Sequence, residues 1–126
     1  MTISITKRLN VFFTALLALF LSIQVGNADT SPVLISGTEA RHLIQDKGAI
    51  LVDVRTMDEF KQKHIVGALH FPVESFQADS YHFGEFNRPI VVYCRSGRRS
   101  EIAKQILLKA GFKDVYNMGP LENWDK

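Results

Sequence analysis

Residues 89–100 have the sequence Pro89-Ile90-Val91-Val92-Tyr93-Cys94-Arg95-Ser96-Gly97-Arg98-Arg99-Ser100. The continuous apolar run that ends at Cys94 predicts a buried strand, because a parallel-sheet strand covered on both faces shows no polar alternation. Gly97 predicts a tight loop, and a helix is expected from Ser100 to Ala110, closed by Gly111. Five positions of this helix have core spacing: Ile102, Ala103, Ile106, Leu107 and Ala110.

Similar signals extend this unit in both directions. The spacing of a helix capping box occurs twice, in Ser36 with Glu39 and in Thr56 with Glu59. Residues 49–54 are a second continuous apolar run, and short strands are predicted at 33–35, 68–71 and 115–116. A packed, partly helical connection is expected at 73–88. The chain therefore predicts an α/β fold, a single domain whose mostly parallel central sheet has about five short strands with helices on both faces.

The first 28 residues have the three-part layout of a secretory signal peptide. Lys7 and Arg8 precede the largely apolar run 11–25, and small residues follow at 26–28. The apolar run is short for a membrane span. We expect cleavage near Ala28-Asp29, export to a bacterial periplasm and a mature domain of residues 29–126. A retained membrane anchor is the alternative.

The formal charge of the whole chain is +2. Lys7 and Arg8 account for this excess, which leaves 13 positive and 13 negative side chains in residues 29–126. Bulk charge therefore gives no reason to expect a nucleic-acid partner, or stable membrane association after cleavage.

The chain has one cysteine, Cys94. Exported proteins commonly pair their cysteines, so a lone thiol is either buried and inert or kept for its reactivity. The strand end, the glycine loop and the helix N-terminus would direct backbone N–H groups at this sulfur, and three nearby arginines add positive charge. These features favour the thiolate, so Cys94 is a candidate nucleophile. With no histidine at ligand spacing, no metal site and no cofactor are expected.

A thiolate in an anion-binding loop supports two chemistries. It can attack the central atom of a tetraoxyanion, as in a cysteine phosphatase or an arsenate reductase, or it can attack the outer sulfur of a thiosulfate-like anion. Cysteine phosphatases need an arginine six residues after the cysteine, where this chain has Ser100. The spacing favours sulfur transfer.

Four ordered motifs lie within residues 33–124: D-V-R-x-x-x-E-F at 53–60, H-I-x-G-A-x-x-x-P at 64–72, C-x-x-G-x-R-S at 94–100, and G-F-x-x-V at 111–115 followed by Gly119 and Trp124. In these motifs the chain resembles the rhodanese family. With its signal segment it is similar in layout to the small periplasmic phage-shock rhodaneses. Lys63 stands where many members have Gly, and Pro120 replaces the second Gly of the terminal pair.

The resemblance implies a thiosulfate sulfurtransferase. Cys94 would take the outer sulfur of thiosulfate as a persulfide and pass it to cyanide or to a thiol. The active-site loop would bind the anion through Arg95, Ser96, Gly97, Arg98, Arg99 and Ser100. By the family pattern Arg99, with Arg98 second, would face the anion, and Ser100 would cap the helix.

Three other residues are expected to support this site rather than react. Asp53 and Arg55 would orient the strand-end loops by hydrogen bonds, and Glu59 would pair with Arg55 or act as a helix-start charge. We expect a monomer. The alternatives are a non-enzymatic persulfide carrier that serves a partner protein and, third, an anion-loop phosphatase or arsenate reductase.

Overall fold

Strands and helices alternate along the computed structural model, which describes residue 26, residues 29–78 and residues 80–126, without the side chains of 80 and 81. The predicted signal segment, except for Gly26, lies outside the described residues. Residues Ser31–Lys126 form one compact unit. Its elements are α1 (Gly37–Lys47), β1 (Ile50–Asp53), α2 (Met57–Gln62), β2 (Leu69–His70), a 3₁₀ turn (Val73–Ser75), α3 (Ser80–Phe83), β3 (Ile90–Cys94), α4 (Arg98–Ala110), β4 (Val115–Pro120) and a 3₁₀ helix (Leu121–Asp125).

The strands form a four-stranded sheet in the order β2-β1-β3-β4, and every pair is parallel. The α/β prediction is confirmed, but about five strands was one too many. Of the expected strand 33–35, only Leu34 makes a bridge, to Asn117 of β4, while Val33 is 79% exposed. In contrast, β4 continues beyond 116 because its pairing with β3 extends to Pro120.

The two faces of the sheet carry separate cores. Side chains alternate between the faces of a strand, and β3 sends Ile90, Val92 and Cys94 to the core under α4 and Val91 and Tyr93 to the core under α1. Because both faces are covered, the strand is apolar at every position. This arrangement puts the Cys94 side chain at the end of β3, beside the start of α4.

The helix ends follow the capping signals. The Ser36 hydroxyl accepts from the Glu39 N–H, and Thr56 and Glu59 form a reciprocal capping box. Helix α4 begins earlier than predicted, at Arg98, with Gly97 at its N-cap in the left-handed conformation. The prediction that Ser100 caps this helix was wrong, since Ser100 is buried in its first turn.

Helix α4 buries a narrower stripe than predicted. Ser100, Ala103 and Leu107 are its buried residues. Ile102 is 51% exposed, and Ala110 is exposed as well. Both were expected in the core. Ile102 lies off the line that the three buried residues follow at spacings of three and four, whereas Ala110 continues that line but is exposed at the last residue of the helix.

The connection between β2 and β3 is packed and partly helical, as predicted. It contains the 3₁₀ turn and α3, and its Phe83 is fully buried against Phe112. In the part of the chain that the structure describes, no helix is long and apolar enough to span a bilayer.

Candidate active site

The Cys94 sulfur lies inside the loop that joins β3 to α4. The Gly97 N–H donates to Sγ at 3.0 Å, and the Ser100 hydroxyl oxygen lies 3.3 Å from Sγ. Cys94 has no exposed surface. The loop can turn this tightly because Gly97 has φ +92°, a conformation that side chains other than glycine rarely adopt.

The electrostatics of the loop favour the thiolate. Burial opposes ionisation of Cys94, but the Ser100 hydroxyl and the backbone N–H groups of Ser100, Ser96 and Gly97 outweigh it, so the pKa of the thiol lies below its usual value. A buried, inert cysteine has no such set of donors. The geometry therefore supports a nucleophilic sulfur.

Arg99 and Glu59 form a two-pronged ion pair across the site. The guanidinium donates to the two carboxylate oxygens at 2.7 and 2.9 Å. The pairing of Glu59 with Arg55, one of two roles expected for it, is therefore wrong. Its other expected role is present, since Glu59 is one of two acidic residues in the first turn of α2, with Asp58. The hydrogen bond from Arg99 lowers the pKa of Glu59 to about 2.

Arg99 also interacts electrostatically with the Cys94 sulfur. Its pKa is raised, first by the hydrogen bond to Glu59 and, among smaller contributions, by the charge of Cys94. Arg95 and Arg98 are exposed, as is Ser96, whose hydroxyl accepts from the Arg98 N–H at 3.4 Å.

Asp53 and Arg55 form a buried pair at the end of β1. The Arg55 side chain donates to both Asp53 oxygens, with a shortest distance of 2.6 Å. It also donates to the Lys63 carbonyl at 2.6 Å and so ties the β1 end to the loop after α2. Lys63 has φ −163°, an extended conformation that needs no glycine.

A cleft of about 270 Å³ opens beside the loop. Its lining residues are Arg55, Glu59, Gln62, Lys63, Arg95, Leu121 and Glu122. Two of its charges are already compensated, because Arg55 pairs with Asp53 and Glu59 with Arg99.

The histidines near the site have structural contacts. His64 and His70 stack on Phe60, with ring centroids 3.7 and 4.5 Å away, and each has a ring nitrogen at hydrogen-bond distance from a backbone carbonyl. Among the described residues, no three His, Cys, Asp or Glu side chains form a group that could hold a metal ion.

Sequence reasoning missed Asn117. Its side chain is fully buried in β4 and contacts Ser100 and the Gly97 carbonyl. The only available signal was a polar residue directly after the predicted strand 115–116, and this position matches none of the residues that define the four motifs.

Comparison with known proteins places the chain in a family. The sequence model of the rhodanese-like domain matches residues 36–126. A thiosulfate sulfurtransferase, GlpE, of Coxiella burnetii is 35% identical over 91 residues, which cover 71% of this chain and 84% of that protein. A putative sulfur carrier protein, YrkF, of Bacillus subtilis is 32% identical over 99 residues, 78% of this chain and 53% of that protein.

A solved structure has the same fold. It is described as a rhodanese with anions from E. coli, and it is 32% identical in sequence with a TM-score of 0.56. The match covers 60% of this chain and 89% of that chain.

Proposed function

The chain belongs to the rhodanese-like domain family, and from that premise we propose that it is a sulfurtransferase acting through a persulfide on Cys94. The observation that carries the proposal is the set of donors around a buried sulfur, above all the Gly97 N–H at 3.0 Å. Such donors stabilise a thiolate and a persulfide anion alike. The similarity to GlpE makes thiosulfate the first donor to test.

The reaction has two displacements. The Cys94 thiolate attacks the outer sulfur of thiosulfate, a new S–S bond forms, and the bond to the sulfonate sulfur breaks, so that sulfite leaves with the electron pair. An acceptor thiolate, or cyanide, then attacks the outer sulfur of the persulfide and releases the Cys94 thiolate. The loop amides and the Ser100 hydroxyl stabilise the sulfur anion at both stages.

The cleft that Arg95 of the loop lines is where we expect the donor and the acceptor to approach. After the Asp53–Arg55 and Glu59–Arg99 pairs are set aside, Arg95 and Lys63 contribute positive charge to its lining and Glu122 negative charge. Two cations beside the loop suit an anionic donor.

The direct test is to incubate the purified protein with thiosulfate and to measure its intact mass. We expect a gain of one sulfur atom, which cyanide removes as thiocyanate, and no gain in Cys94→Ser. A parent protein that gains no sulfur and forms no thiocyanate would refute the proposal.

A carrier role is the second candidate, because Cys94 has no exposed surface. A buried persulfide would be slow to meet small acceptors, and YrkF is named a putative sulfur carrier. Slow turnover with cyanide and small thiols, together with fast transfer to a partner protein, would favour this role. The phosphatase alternative has less support, since Ser100 occupies the position where those enzymes need an arginine.

We also propose that the protein is exported and acts as a monomer in the periplasm. The layout of residues 1–28 supports export. N-terminal sequencing of the protein from a periplasmic extract should begin near Asp29, and light scattering should give the mass of one chain. An intact Met1 would instead support a retained anchor.

A further inference from the structure

Asn117 is buried beside the active-site loop with all of its side-chain hydrogen-bonding positions occupied. Its amide oxygen accepts from the Ser100 hydroxyl at 2.7 Å and from the Gly119 N–H at 2.8 Å. Its amide nitrogen donates to the Gly97 carbonyl at 2.9 Å and to a Glu101 carboxylate oxygen at 3.0 Å. An amide side chain has two donors and two acceptor positions, so none is left over.

These partners fix the orientation of the amide. A backbone N–H can only donate and a carbonyl can only accept, so the oxygen must face Gly119 and the nitrogen must face Gly97. The oxygen therefore also faces Ser100, and the Ser100 hydroxyl must be the donor in that bond.

The Ser100 hydroxyl has one proton and two acceptors. One is the Asn117 oxygen at 2.7 Å, and the other is the Cys94 sulfur at 3.3 Å. When Cys94 is a thiol, its S–H can donate to the Ser100 oxygen while Ser100 donates to Asn117. When Cys94 is a thiolate, Ser100 stabilises it only by turning its proton towards the sulfur. The Asn117 oxygen then accepts from the Gly119 N–H only.

We propose that Asn117 is a positioning residue for sulfur transfer, which competes with the Cys94 sulfur for the Ser100 proton and holds the loop through the Gly97 carbonyl. The inference rests on the proposed function for its role in catalysis. Ionisation releases the Cys94 proton to solvent, and the Ser100 proton only changes its acceptor. Asn117 thus sets how fully Ser100 can stabilise the sulfur anion.

Charged groups around Cys94 must be kept constant in a test. They come from several elements around the sulfur. The loop and α4 carry Arg95, Arg98, Arg99 and Glu101, and α2 carries Glu59. The end of β1 carries Asp53 and Arg55, the 3₁₀ turn carries Glu74, and β3 carries the phenol of Tyr93. Substitution of Asn117 by an apolar residue changes none of these charges. It does remove the hydrogen bond from Asn117 to Glu101. This loss is the same with Ser or Ala at position 100, so it cancels when the two backgrounds are compared.

A double-mutant cycle isolates the competition. The pH dependence of Cys94 alkylation gives the thiol pKa in the parent, Asn117→Leu, Ser100→Ala and the double variant. Loss of the Gly97 bond acts in both backgrounds, whereas release of the Ser100 proton acts only where Ser100 is present. Asn117→Leu should change the pKa of the Cys94 thiol in both backgrounds. We expect this change to be more negative, by about 0.5 to 1 pH unit, when residue 100 is Ser than when it is Ala.

Equal shifts in the two backgrounds would overturn the proposal. Thermal unfolding shows whether each variant folds, and Asn117→Ala replaces Asn117→Leu if the larger side chain is not accommodated. A second measurement needs no substitution of Asn117: its side-chain amide resonances should move with the same pH midpoint as Cys94 alkylation. In Ser100→Ala we expect less than half of that movement, and an undiminished movement would also overturn the proposal.

Neither measurement uses a sulfur donor. A protein that shows the coupling but gains no sulfur from thiosulfate would refute the proposed function and leave the proposed Ser100–Asn117 competition standing. A protein that gains sulfur but shows no coupling would refute only the proposed competition.

Discussion

At the scale of single residues, the sulfur of Cys94 is stabilised by groups that the chain holds in different ways. The backbone amides are fixed by the loop, whereas the Ser100 hydroxyl can rotate. A side-chain substitution can therefore remove the hydroxyl and leave the amides in place.

Ser100→Ala should raise the pKa of Cys94 by about 0.5 to 1 unit, because an ordinary hydrogen bond contributes about 1 kcal/mol and one pKa unit corresponds to about 1.4 kcal/mol. Because the thiolate is the proposed nucleophile, we expect kcat/KM to rise with pH until the thiol is ionised. The variant should therefore be about three- to tenfold slower well below the pKa and equal to the parent above it.

Ser96→Ala is the matched control. The contribution of Ser96 to the thiol comes from its backbone N–H, and its hydroxyl accepts from Arg98. Its pH–rate profile should overlay that of the parent. A loss in Ser100→Ala that persists at high pH would show that the hydroxyl does not act through ionisation.

The Glu59–Arg99 pair predicts a pH-dependent stability. The pKa of Glu59 falls from its ordinary value of 4.5 to about 2 in the folded protein. A carboxyl group whose pKa is lowered by folding stabilises the fold fully at pH values above its pKa in the unfolded chain. This stabilisation is lost as the pH falls through its pKa in the folded protein. Glu59→Gln should therefore be less stable at neutral pH, by roughly 1 kcal/mol.

Denaturant unfolding at several pH values checks this expectation. The difference between parent and Glu59→Gln should shrink from about pH 4.5 downwards and vanish near pH 2. Glu122→Gln is the control, since Glu122 lines the same cleft and has no ion pair among the described residues. A Glu59→Gln difference that does not change with pH would mean that the charge is not responsible.

At the scale of elements, the site depends on how β3, the loop and α4 join. Gly97 has φ +92°, and a Cβ there would lie 3.3 Å from the Gly119 Cα and 3.4 Å from Leu34. Gly97→Ala should therefore cost about 1–3 kcal/mol of stability and should displace the N–H that donates to Cys94. We expect at least a tenfold loss in kcat/KM.

Gly48→Ala separates backbone strain from damage to the site. Gly48 has φ +66°, and a Cβ there would meet nothing within 4 Å. This variant should lose about 1 kcal/mol of stability, measured by denaturant unfolding, and retain full activity. A Gly97→Ala protein that stayed as active as Gly48→Ala would show that the loop conformation is not needed.

The elements differ in how well the sequence predicts them. The strands β1 and β3 and the caps at Ser36 and Thr56 follow from local patterns, because burial on both faces and capping leave direct marks. The bulge in β4 leaves none. Val92 pairs with Asn117 and Tyr93 with Gly119, so one extra residue enters the strand.

That bulge is why Asn117 could not be predicted. An asparagine after two strand residues is typical of a turn, and only the tertiary pairing with β3 keeps the strand going beneath α4. The Glu59–Arg99 pair was missed for a related reason, since it joins residues forty positions apart on two helices. Cys94 and its loop were predictable because strand, glycine and helix start are adjacent in sequence.

At the scale of the whole molecule, charge is balanced in bulk and concentrated locally. Residues 29–126 carry 13 positive and 13 negative side chains, while Arg95, Arg98 and Arg99 lie within six residues of Cys94. A balanced body gives little long-range attraction to a polyanion, whereas the arginines beside Cys94 would favour a small anion at the proposed site.

Anion competition tests this distribution. Sulfate should raise the KM for thiosulfate and leave kcat unchanged, because both dianions fit the same loop, whereas duplex DNA at equal phosphate concentration should have no effect. Arg98→Gln should weaken inhibition by sulfate. Lys109→Gln, the same charge change in the last turn of the same helix, should leave it intact. If DNA inhibits as sulfate does, or if the two variants behave alike, bulk charge rather than the loop selects the anion.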